Sequence, residues 1–228
     1  MKTNAEIAAW YDGFLSYMER DAKGVNPRRE HMKEVLHQIL QPGTIVLEPG
    51  CGIGLNSIFM ARELGCKVTA VDISPKLIEA ARKMHPHENI EYVCGDFADQ
   101  RDTAEWRRNK YDSVVLCDVL EHIPEENLSE FIDSACLYGS KSDNPVVYVN
   151  LPAEDYQNFI MLNAPGLRQI IDTAISPDML LRMFKGNNLR PIHMNIYGID
   201  APCQYQEYVL VRSETIHEQI NRSLRLKK

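Results

Sequence analysis

The sequence predicts an α/β fold built on a doubly wound, mostly parallel sheet. Three observations carry that expectation. Strand-like and helix-like segments alternate from residue 44 to residue 185, the rhythm of parallel strands joined by right-handed helical crossovers. The segments at 44–48, 68–72 and 113–117 are nearly continuous apolar runs, as expected of strands covered on both faces. The first of them passes through Pro49-Gly50-Cys51-Gly52-Ile53-Gly54 into a new helical pattern, which reads as buried strand, tight turn and helix start.

The elements follow in order. Ala5 to Glu19 carries Ile7, Trp10, Tyr11, Phe14, Leu15 and Met18 at helical spacing. Asn26-Pro27 reads as an N-cap with proline in the first helical position. Met32, Val35, Leu36, Ile39 and Leu40 then share one helical face, which ends at Pro42-Gly43. Strands are expected at Thr44 to Glu48, Val68 to Asp72, Ile90 to Cys94, Ser113 to Cys117 and Pro145 to Asn150. Helices are expected at Leu55 to Leu64, Pro75 to Met84 behind a Ser74 cap, Thr103 to Arg108, Glu125 to Tyr138 and Pro177 to Lys185. Arg190 to Tyr197 and Gln206 to Arg212 form an antiparallel pair at the sheet edge. The whole reads as one domain of 228 residues: a helical cap (1–41), a core (42–150), an insertion (151–176) and a C-terminal helix, strand pair and tail (177–228).

Composition narrows the class. With 44% hydrophobic and 25% charged residues, the chain has the balance of a soluble globular protein. No apolar run reaches the length of a membrane span, and the N-terminus lacks a secretory apolar core, so a cytoplasmic location is expected. The six cysteines form no CxxC or CxxH spacing, which argues against structural zinc. A net charge of −7 argues against nucleic acid, whose phosphates call for clustered Lys and Arg. The short basic tail at 222–228 reads as a solvated end.

In open α/β sheets ligands bind outside the carboxyl ends of the strands. Here those ends hold Glu48 with the glycine turn, then Asp72, then Asp96-Phe97, then Cys117-Asp118-Val119-Leu120-Glu121-His122. Alternating glycines leave no Cβ between main chain and ligand, next to the partly positive start of a helix. A carboxylate about twenty residues beyond such a turn is placed to accept from both ribose hydroxyls. Taken singly, Asp72 could be a helix cap, Asp96 a turn residue and His122 a packed histidine. Their occurrence at consecutive strand ends points to one site.

On these motifs, Glu48 to Gly54, Val71 to Ser74, Gly95 to Phe97 and Tyr111 to Ile123, the chain resembles the class I S-adenosylmethionine-dependent methyltransferases from about residue 42 to residue 148. The resemblance implies a seven-stranded sheet with the last strand antiparallel, and S-adenosylmethionine as cofactor with S-adenosylhomocysteine as product. It implies that Glu48, Gly50 and Gly52 face the methionine part and that Asp72 binds the ribose. Ile73 would pack on adenine, Asp96 would take the adenine amine, and Phe97 would lie beside the ring. The carbonyl of Cys117 or Asp118 would accept from the cofactor's amino group, and Tyr11 would cover the site.

Two rivals remain in view. A nicotinamide-dependent oxidoreductase would need G-x-G-x-x-G, but Leu55 stands where its third glycine belongs. A non-catalytic cofactor-binding module would show the same cofactor residues. A catalytic metal is not expected: Asp118 and Asn150 only partly imitate the acid and amide ligands of metal-dependent relatives. For the acceptor, the chain suggests a small molecule, a monomer or homodimer, and a lid at Leu151 to Ser176. Polar candidates near the reacting atoms are Tyr17, Arg28, His31, His122 and Tyr156. His122, which titrates near neutrality if unperturbed, is the candidate base. Arg28 could clamp a carboxylate or phosphate, although the local pattern favours an exposed first helical turn for Arg28 and Arg29.

Overall fold

The computed structural model describes residues 2–97, 99, 106, 111–139, 145–214 and 216. Two helices lead: α1 (Asn4–Asp21), closed by a Thr3/Glu6 capping box, and α2 (Pro27–Ile39), whose Asn26 side chain accepts from the Arg29 amide. The alternating core follows as β1 (Ile45–Pro49), α3 (Leu55–Arg62), β2 (Lys67–Asp72), α4 (Pro75–Met84), β3 (Ile90–Cys94) and β4 (Ser113–Cys117). Then come α5 (Glu125–Gly139), β5 (Val146–Pro152), α6 (Glu154–Asn163), α7 (Pro177–Gly186), β6 (Leu189–Tyr197) and β7 (Tyr205–Arg212). The expected helix at Thr103 to Arg108 lies, except for Trp106, outside the described residues, as does the basic tail.

The seven strands lie in the order β3-β2-β1-β4-β5-β7-β6, with β1 to β5 parallel and β7 antiparallel to both its neighbours. That is the seven-stranded, mostly parallel sheet expected. Along β1 successive side chains serve opposite layers, as strand pleating requires. Val46 packs with Met32 and Leu36 of α2 and Phe59 and Met60 of α3, whereas Leu47 packs in the layer of Phe131 and Ile132 of α5. β4 is buried along its whole length. Strand order reverses between β1 and β4, which opens a crevice at their carboxyl ends.

Several element ends shift by one or two residues from expectation, and the shift at β5 bears on the site. β5 runs two residues past Asn150, because β7 keeps pairing with it through Leu151↔Gln206 and Pro152↔Tyr205. The insertion therefore begins at α6. Among the described residues no helix is long and apolar enough to cross a membrane.

Candidate cofactor and acceptor site

A cavity of about 820 Å³ opens at the crevice, within the ~300–1,000 Å³ range of small-molecule sites. Its floor is the glycine turn. Gly50 has φ 72° and Gly54 φ 79°. A Cβ on Gly50 would stand 2.6 Å from Val119 Cγ2, and one on Gly54 2.7 Å from the Tyr92 hydroxyl, so neither position accepts a side chain. The amides of Gly50 and Cys51 both donate to the Val71 carbonyl (2.8 and 3.1 Å), binding the turn to the end of β2.

Asp72 completes that join. Its Oδ2 accepts from the Gly52 amide (2.8 Å) and its Oδ1 from the Ser74 amide (2.9 Å). Each carboxylate oxygen has capacity beyond one bond, and the side chain lines the cavity. Burial raises its pKa, against the pull of those amides. Glu48, at the end of β1, is 2% exposed and accepts from the Ser57 hydroxyl. Burial pushes its carboxyl up to about 7. A carboxyl raised on folding stabilises the native state below its unfolded value near 4.5, and that contribution is lost as pH rises through about 7. Glu48→Gln is therefore expected to gain melting temperature relative to the parent as pH climbs from about 4.5 to 7, and to hold that gain above. A constant offset across a thermal melt series from pH 4 to 9 would contradict a neutral-leaning Glu48.

Beside the turn, Ile73, Asp96 and Phe97 line the same cavity. Asp96 accepts from the Asn4 side chain of α1, and Phe97 packs on Phe131 with ring centroids 4.9 Å apart. Cys117 closes β4, and Asp118 takes φ 53°, a conformation uncommon for a residue with a Cβ. Its amide is held by the Asn150 carbonyl at 2.9 Å.

His122 sits on a single 3-10 turn (Leu120–His122), with its side chain 13% exposed. Its Nδ1 lies 2.9 Å from the Ile171 carbonyl. A carbonyl only accepts, so the proton is on Nδ1 and Nε2 keeps its lone pair. Burial lowers the imidazole pKa below 6.5, which keeps the ring neutral near pH 7. The nearest carboxylates stand at 3.8 Å (Glu121 Oε1 to Nε2) and 3.9 Å (Asp172 Oδ1 to Nδ1). Tyr11 meets the ring edge-on at 6.0 Å and donates its hydroxyl to Gln169 Oε1 (3.2 Å), tying α1 to the segment after α6.

Arg28 corrects the expectation of an exposed first turn. Its side chain is 14% exposed. It donates to Asn150 Oδ1 through Nε (3.2 Å) and Nη2 (2.8 Å), and to Asp118 through Nη2. The guanidinium also lies 3.8 Å from the centre of the Tyr205 ring. A cation of the chain itself thus bridges the acid that follows β4 and the Asn150 amide within β5. Arg29 is likewise half-hidden and pairs with Asp21. Among the described residues, no group of three or more His, Cys, Asp or Glu side chains is placed to hold a metal ion.

Tyr17 and Tyr156 line the cavity, but His31 does not. One helical turn beyond Arg28, its Nε2 lies 3.0 Å from Glu207 and its ring 4.1 Å from that of Tyr197. Sequence reasoning missed Asp12, which accepts from the Ser74 hydroxyl at 2.6 Å and so anchors α1 over the start of α4. It also missed Gln169 and Tyr205, neither of which carries a local pattern; the buried Glu121 stands within the strand-end segment named above.

Residues 46–137 match the family model described as a methyltransferase domain. Over that stretch, less than half of the chain, the sequence is similar to a methyltransferase domain. A ubiquinone biosynthesis O-methyltransferase from Xanthomonas campestris pv. campestris is 34% identical over 116 residues, 51% of this chain and 46% of that protein. The match thus spans just under half the length of that relative. Among solved structures, magnesium protoporphyrin IX methyltransferase from Synechocystis PCC 6803 with bound S-adenosylhomocysteine superposes with a TM-score of 0.73 at 19% identity, over 92% of this chain and 100% of that one. Burkholderia thailandensis 1,6-didemethyltoxoflavin-N1-methyltransferase gives a TM-score of 0.66 at 16% identity, over 93% and 91%. At such identities the superpositions establish the fold. It is the α/β methyltransferase fold, with the strand order and antiparallel β7 described above.

Proposed function

We propose that the chain transfers a methyl group from S-adenosylmethionine to an oxygen of a small-molecule acceptor. The observation that carries this reading is the meeting, in one cavity of a methyltransferase domain, of the glycine turn, the amide-fixed Asp72 and a neutral His122 with a free lone pair. The residues fit the cofactor. Asp72 would take the ribose hydroxyls, Ile73 and Phe97 would flank the adenine, and Asp96 would accept from its amine. Glu48, Gly50, Gly52 and the Cys117 carbonyl would face the methionine part, with Tyr11 covering it. When bound, the cofactor supplies a methyl group on a sulfonium, open to in-line attack by a lone pair.

The chain's own part is to place the acceptor and take its proton. His122 Nε2 receives the hydroxyl proton, while Arg28 and Tyr156 orient the acceptor's polar end from α2 and α6, and Tyr17 of α1 contacts it further out. An oxygen is favoured over an amine because a neutral amine needs no base, whereas His122 is held in the basic tautomer. The Xanthomonas relative, by its name an O-methyltransferase, points the same way. The segment from α6 to residue 176 would act as the lid, since α6 and the stretch after it supply Tyr156, Ile160, Leu167 and Gln169 to the cavity wall.

Calorimetry with S-adenosylhomocysteine tests the cofactor assignment. Asp72→Ala should weaken binding by about 1.5–3 kcal/mol, the loss expected for hydrogen bonds to a charged group. Undiminished affinity in that variant, or tighter binding of NAD than of S-adenosylhomocysteine, would sink the reading. Release of S-adenosylhomocysteine when cell extract is added separates an enzyme from a binding module.

A further inference from the structure

Four aromatic rings run outward from the candidate base. His122 meets Tyr11 at 6.0 Å between centroids, Tyr11 meets Phe14 at 6.4 Å, and Phe14 meets Tyr17 at 4.7 Å. All four line the cavity, and the last three lie on one stripe of α1 at i, i+3 and i+6. At the inner end the His122 side chain is 13% exposed, and at the outer end Tyr17 is 54% exposed. Leu167, which also lines the cavity, is 69% exposed. If the ladder served only to pack α1 onto the domain, its outer end would be covered. Instead the ring ladder runs from the polar interior to an exposed Tyr17, and the exposed Leu167 lines the same cavity. Single exposed apolar residues are ordinary, but a continuous apolar path joined to a binding cavity marks a ligand.

The polar groups lie at the other end. Arg28, Asp118 and His122 hold the inner part of the same space. The occupant these walls fit has a compact polar head and a long apolar body. We propose that the acceptor is amphipathic: its reacting hydroxyl lies beside His122, and its hydrocarbon tail runs along Tyr11, Phe14 and Tyr17 and leaves past Leu167. This assignment of the acceptor class rests on the methyl-transfer reading above. An anionic lipid surface is a poorer occupant of the rim, because the chain itself carries a net charge of −7.

The test titrates the S-adenosylhomocysteine-saturated protein with phenol, 4-butylphenol and 4-octylphenol, following heat or tyrosine fluorescence. Affinity should rise by up to about fourfold for each added methylene, the equivalent of ~0.8 kcal/mol per buried CH₂. Tyr17→Ser combined with Leu167→Ser should flatten that dependence without lowering the melting temperature or the affinity for S-adenosylhomocysteine. Should the pair unfold, Leu167→Ser alone, at a position two-thirds exposed, supplies the same comparison. No phenol binding, affinity independent of chain length, or an unchanged slope in the variants overturns the proposal. So does a flat slope together with sedimentation on phosphatidylcholine vesicles, or with a dimer that Leu167→Ser dissolves; these outcomes assign the rim to a bilayer or to a second copy. Cofactor binding is scored separately. A steep slope in protein that fails to bind S-adenosylhomocysteine would spare the apolar path and sink the methyl-transfer reading. Cofactor binding with a flat slope does the reverse.

Discussion

Replacing His122 by alanine is expected to slow methyl transfer by about 10²- to 10⁴-fold, the usual worth of a positioned general base, with little change in affinity for S-adenosylhomocysteine. The expectation follows from two local facts. The Nδ1–H bond to the Ile171 carbonyl fixes which nitrogen is free, and burial lowers the ring's pKa so that the free nitrogen stays unprotonated near neutrality. The sign of the pH dependence follows. The imidazolium is the form disfavoured by burial, so the parent's rate should hold as pH falls past 6.5 and decline only lower, as His122 takes up a proton. His122→Ala should lose that acid limb along with the rate. A variant with unchanged rate and an unchanged acid limb would make His122 a packing residue, held by Tyr11 on one side and Ile171 on the other.

Such a result would also show how far local sequence can be trusted at this site. The glycine turn, Asp72, Asp96 and His122 were legible because each stands within a few residues of a strand end, where its chemistry and its position come from the same short segment. Arg28 was not legible in that way. Its partners Asp118 and Asn150 lie 90 and 122 residues away along the chain, and Tyr205 further still. Near in sequence there is only a capped first turn, and capped first turns usually face water. His31 failed for a related reason. It shares a face with Arg28 on α2, yet one helical turn of rise carries it from the cavity wall to the buried carboxylate of β7. The local pattern ends β5 two residues short because its end is set by its partner, β7, and not by its own residues. Glu207 left no sign at all. It stands inside the Gln206 to Arg212 strand, and the partners that meet it come from α2 and β6, outside that strand.

That carboxylate carries the other large expected effect. Glu207 is 1% exposed and accepts from four side chains: His31 Nε2 at 3.0 Å, His193 Nε2 at 3.1 Å, Asn195 Nδ2 at 3.2 Å and the Tyr148 hydroxyl at 3.2 Å. The chain of bonds continues inward, since Asn150 donates to the Tyr148 hydroxyl at 3.3 Å and accepts from Arg28. Glu207→Ala should therefore destabilise the fold by about 1–3 kcal/mol, the cost of leaving its donors unsatisfied. A loss of that size lowers the melting temperature by roughly 2–12 °C in a domain of this length. It should also loosen the hold on Arg28 at the acceptor end of the cavity. Burial pushes the Glu207 carboxyl up, but the bonds from His193, Asn195 and His31 outweigh it and leave the pKa below 4.5. A carboxyl lowered on folding stabilises the native state above its unfolded value, and that contribution is lost as pH falls through the folded one. The gap in unfolding free energy between the parent and Glu207→Gln should accordingly be full at pH 7 and close below about pH 4.5. Urea denaturation at pH 7 and pH 3.5 measures it. A gap of the same size at both values would mean that the carboxylate's charge contributes nothing, and that only its shape holds α2 to the sheet.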